Sequence, residues 1–262
     1  MRAREQDTWM TRTLMLAAVV AISPALFAQS SGQPVRTPLD ITGTWQQVTE
    51  KTMFRWTALN EDPPLQPWAL EMYKKAREGK RLDERGDGWL DPETYCLPWG
   101  TPRLWTSTVP IIIVEAPGKT LIIHASETHP LPRIVYTDGR DHPEGYPPRF
   151  DGHSIGRWDH GTFVIDTVAL DPDTWIDDSG TPHSEALHTV ERLRRVNLTT
   201  LEVTVEFNDP KAFTKPWTGL KKTFKMYPDW EYIPGIPCED RFHENFHNKT
   251  PRAAEERVVV PK

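Results

Sequence analysis

The sequence predicts an all-β fold: a single antiparallel β-barrel of about eight to nine strands, with one N-terminal helix and long proline-rich loops. Three observations predict it. From Val109 onward, short apolar runs alternate with polar residues and are broken by Gly, Pro, Asn and Asp. The breaks at Ala116–Lys119, Asp159–Gly161 and Asn197–Thr200 are short enough for hairpin turns. Helical periodicity is nearly absent between these runs, which argues against a parallel sheet with crossover helices. Closing the sheet on itself removes exposed strand edges.

In chain order, Arg12 precedes the apolar run Leu14–Ile22, followed by Ser23-Pro24 and a small residue at Ala28. This is the pattern of a secretory signal peptide over residues 1–28, and the run is too short for a membrane span. Leu26 departs from the small residue preferred three positions before a cut after Ala28. Residues 29–39 are polar and read as a linker, leaving 40–262 as the β-barrel domain. Asp40–Val48 reads as the first strand, and its Gly43-Thr44-Trp45 has the G-x-W arrangement that opens lipocalin-like barrels. Pro67–Arg77 reads as the helix, its proline-rich lead suiting a helix N-terminus. The further strands are expected at Ile111–Glu115, Thr120–His124, Arg133–Thr137, Ile155–Trp158, Phe163–Val168, Leu187–Val196, Leu201–Phe207 and Leu220–Tyr227.

The net charge is −6, and residues 1–28 hold three arginines against Glu5 and Asp7, a net of +1, so that −7 remains for the exported chain. That balance disfavours nucleic acid and anionic membranes as partners. The expected partner is a small-molecule ligand or substrate, with no nucleic acid and no stable membrane insertion; the oligomeric state is not encoded in any pattern. Cys96 and Cys238 are the two cysteines, and an oxidising compartment favours a disulfide between them. Two buried thiols are the alternative. Neither cysteine belongs to a CxxC pair, so redox catalysis is not suggested.

The 25 prolines gather in connections such as Glu144–Pro148 and Pro234–Pro237, which implies rigid loops folded over the barrel. Of the 11 tryptophans, Trp99, Trp105, Trp158, Trp175 and Trp217 are placed either to line an aromatic ligand pocket or to pack core and loops.

Several long phrases combine: Cys96–Arg103 (CLPWGTPR), Arg133–Pro143 with DGRDHP, Gly152–Asp159 (GHSIGRWD), Pro182–Arg192 (PHSEALHTVER) and Asp209–Trp217. Together they resemble a large family of secreted bacterial proteins of unknown function, over the span from about Trp45 to Cys238. The resemblance implies export and a barrel, and no particular activity.

The chemistry-bearing residues concentrate between Gly152 and Arg195. Gly152-His153-Ser154-Ile155-Gly156 matches the G-x-S-x-G nucleophile pattern, with Asp166 and His183 or His188 as possible triad partners. That reading needs a strand, a strained turn and a helix, whereas the following residues read as a hairpin. A metal-dependent alternative uses His183, His188 and Glu191, whose donors suit zinc or iron. On a strand, however, His188 and Glu191 point to opposite faces. No cofactor is favoured, and no metal ligand is assigned.

The preferred reading is acid–base catalysis in a barrel pocket by a secreted lyase, isomerase or hydrolase acting on a small organic, aromatic or glycosidic molecule. On Leu187–Val196, alternation puts Leu187, Thr189, Glu191 and Leu193 on the more apolar, inward face. Desolvation there favours the neutral acid of Glu191 and suits it to proton transfer. The expected catalytic set is Glu191, His183, Arg133 and His142. Arg140, His153, Trp158, Trp175 and His188 are the expected ligand-binding residues. Two other readings stay open: a buried ion pair of Glu191 with an arginine such as Arg133 or Arg157, and a lipocalin-like carrier without turnover.

Overall fold

The computed structural model describes residues 40–82, 91–95, 97–124 and 132–230. The leader, the linker, Cys96 and Cys238 lie outside the described residues. Ten strands form one sheet: β1 (Gly43–Gln47), β2 (Ile111–Ala116), β3 (Lys119–His124), β4 (Arg133–Tyr136), β5 (His153–Asp159), β6 (Thr162–Val168), β7 (His188–Asn197), β8 (Thr200–Asn208), β9 (Trp217–Thr218) and β10 (Lys222–Met226). The sheet closes because β10 pairs with both β1 (Trp45↔Met226) and β8 (Phe224↔Leu201), giving an all-β barrel of nine strands. The short β9 lies on the same edge of β8 (Phe207↔Trp217). The expected strand at Leu220–Tyr227 is thus shorter at its start, and Gly219 still donates its N–H to the Val205 carbonyl at 2.8 Å.

Among the described residues, every pairing between strands is antiparallel except one. β4 and β5 run parallel (Val135↔Ser154, Tyr136↔Ile155), which departs from the wholly antiparallel expectation. The reason is the connection Thr137–Gly152, which runs back along the barrel before β5 begins. Its length meets the dozen or so residues that a parallel crossover needs, and it does so without a helix.

Period-2 alternation sets the interior. Leu201, Val203, Val205 and Phe207 of β8 are all fully buried, and each such side chain contributes about 1.5–3 kcal/mol of burial. Trp45, Ile111, Ile113, Ile122, Val135, Phe163, Ile165, Leu193 and Phe224 complete the wall. Trp45 donates its Nε1–H to the Ile41 carbonyl at 2.9 Å, and the Arg195 guanidinium lies over its ring. Helix α1 (Pro67–Leu82) runs one turn beyond its expected end and buries Ala69, Tyr73 and Ala76, a spacing that keeps one helical face inward. Trp68 fastens it through Nε1 to the Lys211 carbonyl at 2.8 Å. No helix among the described residues is long and apolar enough to cross a membrane.

The two glycines of the G-x-S-x-G phrase have packing roles. Gly152 takes φ +61, and a Cβ there would lie 2.4 Å from the Val168 carbonyl oxygen. Gly156 is a notch in β5, where a Cβ would lie 2.6 Å from Phe163 Cζ and 2.7 Å from Val135 Cγ1. Both neighbours are core side chains, so Gly156→Ala should cost about 1–3 kcal/mol by overpacking. Urea denaturation checks this; a change below about 0.5 kcal/mol, the size of an ordinary surface substitution, would show that the notch is not needed.

Candidate functional site

The barrel interior holds a polar group rather than an open acid. Arg133 on β4 and Glu191 on β7 are both 0% exposed and form a bidentate pair, Nη1 to Oε2 at 2.8 Å and Nη2 to Oε1 at 2.7 Å. Glu191 Oε2 also accepts the Trp105 indole N–H at 2.8 Å. Arg133 Nη2 donates onward to Ser154 Oγ at 3.0 Å and to Thr167 Oγ1 at 2.9 Å. Trp105 arrives on a fully buried 3-10 turn, Arg103–Thr106, which carries the indole into the barrel against Phe224. Alternation placed Glu191 inward as expected, and the ion-pair alternative with Arg133 is the arrangement found. Both carboxylate oxygens are engaged, so Glu191 has no free face for a substrate. Ser154, a buried acceptor for Arg133, is the second residue of β5 and leads into the β5–β6 hairpin, not into the helix of a nucleophile elbow.

His183 lies apart from this group. It is fully buried, with Nδ1 donating to the Ser184 carbonyl at 2.9 Å and Nε2 facing Thr174 Oγ1 at 2.9 Å. Burial pushes its pKa down, against the Ser184 hydrogen bond and the charges of Asp209, Asp171 and Asp173, so the ring is held neutral. Asp209 fixes the same loop by accepting from the Ser184 N–H at 2.6 Å and hydroxyl at 2.7 Å. The expected catalytic set of Glu191, His183, Arg133 and His142 therefore does not assemble. Arg133 and Glu191 neutralise one another inside, His183 is locked in its loop, and His142 lies on the outer wall.

The metal alternative of His183, His188 and Glu191 fails for a related reason. Strand alternation puts His188 and Glu191 on opposite sides of the wall, and His183 is committed to Thr174 and Ser184. Among the described residues, no group of three or more His, Cys, Asp or Glu side chains is arranged to hold a metal ion.

Outside the barrel, three of the expected residues do converge. Asp166 on β6 presents one oxygen, Oδ1, to His142 Nε2 at 2.9 Å and to His188 Nε2 at 2.9 Å. His142 Nδ1 in turn lies 2.7 Å from His153 Nδ1. His153 is buried between Tyr136, stacked at 5.3 Å and 23°, and Tyr146, edge-on at 4.9 Å. Arg140 covers the other part of this face, with its guanidinium 3.9 Å from the Tyr136 ring centre and its charge paired with Asp138.

Burial alone would raise the Asp166 carboxyl, but the hydrogen bonds from His188 and His142 outweigh it and hold it below the usual carboxylate range. The same bond to Asp166 pushes His188 up, against partial desolvation. His153 is pushed down by burial, with the charges of His142 and Arg140 adding to the effect.

Beside His188, the outer wall forms an open hollow of about 310 Å³, lined by His188, Val190, Glu206, Asn208, Pro216 and Thr218 among others. Register explains the lining: Asp166↔Val190, Val190↔Glu206 and Glu206↔Thr218 make one outward row, with His188↔Asn208 on the adjacent outward positions of β7 and β8. Arg192 pairs with Glu206 at 3.1 Å.

The tryptophans do not line one pocket. Trp105 is interior, Trp217 stacks on Phe207 at 4.5 Å and also lines the outer hollow, and Trp158, 37% exposed, rests against Phe163. Trp99 and the buried Trp175 flank the Arg103 guanidinium at 5.2 and 5.6 Å. Of the residues expected to bind ligand, His153 and His188 thus belong to the outer cluster, Arg140 borders it, and Trp158 and Trp175 do not. Tyr136 and Tyr146 were not anticipated as members, and Asp166 was anticipated only as a triad partner of Ser154. Asp166 had a signal of its own, since alternation along β6 puts it outward, beside the outward His188 of β7.

No protein-family model, no curated protein and no solved structure matches the chain.

Proposed function

We propose that the working face of this protein is the outer wall of β6 to β9, where the hollow takes a small organic molecule and His188 supplies acid–base chemistry. One observation carries the reading: His188 both lines the hollow and gives its Nε2 to the Asp166 carboxylate at 2.9 Å. A carboxylate bonded to one imidazole nitrogen fixes the ring and favours its protonated form, leaving the other nitrogen to take or give a proton. Glu206, Asn208 and Thr218 supply polar partners around it, and Val190 and Pro216 supply apolar surface. A lyase, isomerase or hydrolase reaction needs no more than such a proton carrier and a held substrate. Export rests on the leader-like residues 1–28 and on the resemblance to secreted proteins.

The test screens small phenols, carboxylic acids and sugars by NMR with assigned imidazole and amide resonances. Binders should shift His188, Val190 and Thr218, and His188→Ala should weaken them about tenfold, or about 1.4 kcal/mol. Turnover of any such binder should fall as pH drops through the raised His188 titration, and Asp166→Asn should move that limb to lower pH. Binders that move other residues and bind His188→Ala unchanged would remove the reading.

A further inference from the structure

The connection Thr137–Gly152 is attached to the outer wall through histidines. Its His142 meets Asp166 of β6 and His153 of β5, and its Tyr146 packs on the His153 ring. We propose that this connection is a pH-operated latch beside the His188 hollow, closed while the His142–His153 pair holds at most one extra proton and released when both rings become imidazolium.

The geometry imposes this. His142 donates Nε2–H to Asp166, so its Nδ1 is the atom that faces His153 Nδ1 at 2.7 Å. Two ring nitrogens at that separation require one proton between them. A neutral pair satisfies this, and so does a pair with a single imidazolium. With two imidazolium rings, two N–H groups point at each other and the bond is lost. The charged and titratable groups facing the pair are Asp166 from β6, His188 from β7 through the shared Oδ1, Tyr136 from β4, and Arg140, Asp138 and Tyr146 from the connection itself. Asp166 favours a proton on His188. A proton on His153 is opposed by burial and by the charges of His142 and Arg140.

The sign follows from linkage. His153 binds its proton less readily in the latched form than in water, so acid favours release and the onset lies below the ordinary histidine value of 6.5. Release also leaves Asp166 Oδ1 to His188 alone, which links the latch to the proposed site; the latch itself stands whether or not the hollow binds a ligand.

The experiment is NMR on the full chain between pH 7.5 and 5.0. Close-range signals between the Tyr146 and His153 rings should be present at the upper pH and fade below the onset. The open-to-closed ratio should rise about tenfold per pH unit, the dependence of one proton. Cross-strand signals between β6 and β7 should persist throughout. His153→Asn keeps an amide where Nδ1 stood and does not titrate, so it should abolish the pH step. His142→Ala should leave the connection open at both pH values with the barrel intact. The proposal is overturned if the wild-type contact survives to pH 5.0, if β6–β7 signals vanish with it, if His153→Asn opens with the same pH dependence, or if His142→Ala keeps the Tyr146–His153 contact at pH 7.5.

Discussion

Glu191→Ala is expected to destabilise the barrel by about 3–5 kcal/mol, because it leaves the Arg133 guanidinium fully buried without its counter-charge. Ser154 and Thr167 would remain as neutral acceptors, which is too little for a charge at 0% exposure. Removing both charges together, as in Arg133→Met with Glu191→Leu, should cost clearly less than either single change, since the interior then has no ion to solvate. Urea denaturation of the three variants measures this, with the denaturant slope held constant as a check that the unfolding reaction is unchanged. A Glu191→Ala protein within about 0.5 kcal/mol of the parent would mean that the pair is not closed in solution.

Arg103→Met is the second large effect, about 3 kcal/mol at neutral pH. Arg103 is buried and donates to Asp91 in a bidentate pair at 2.8 and 2.9 Å and to Asp178 at 2.6 Å, with Glu93 at 3.7 Å. Methionine keeps much of the stem between Trp99 and Trp175 and removes the charge that holds these acids together. The three acids are more exposed than the arginine, at 15%, 25% and 37%, so water offsets part of the loss. The pH dependence has a definite sign. Burial already pushes Glu93 up against the Arg103 charge that lowers it, and without the guanidinium it rises further, so the folded variant binds protons more readily than the unfolded chain. Its deficit should shrink as pH falls from 7 to 4. Denaturation midpoints for parent and variant at the two pH values decide it; a deficit that grows at pH 4 would contradict the assignment of Arg103 as the counter-charge.

The barrel was legible because its strands alternate strictly. Leu201–Phe207 and Leu187–Val196 declare their inner faces residue by residue, and Glu191 was placed inside on that pattern alone. Its partner was one of two arginines under consideration. Arg133 lies inward on β4, whereas Arg157 is at an exposed position of β5. The same alternation argues against a Ser154–Asp166 triad, since Ser154 pairs with Thr167 and Asp166 with Ile155, on opposite sides of the wall. The outer cluster was not legible. His142 reaches Asp166 only because Thr137–Gly152 doubles back, and nothing in a proline-rich, polar connection encodes its path. A parallel pairing between strands joined without a helix leaves no periodic trace either.

That parallel pairing divides the barrel into two half-barrels, β1 to β4 and β5 to β8, each a run of antiparallel neighbours, with β10 sealing the far side. Among the described residues, the seam between β4 and β5 spans two pairs, Val135↔Ser154 and Tyr136↔Ile155. Arg133 crosses it from β4 to reach Ser154 on β5, Thr167 on β6 and Glu191 on β7. The buried ion pair thus acts as a rivet through the weakest joint of the wall. Local opening of this barrel is expected to begin at that joint, directly beneath the histidines that fasten the connection outside.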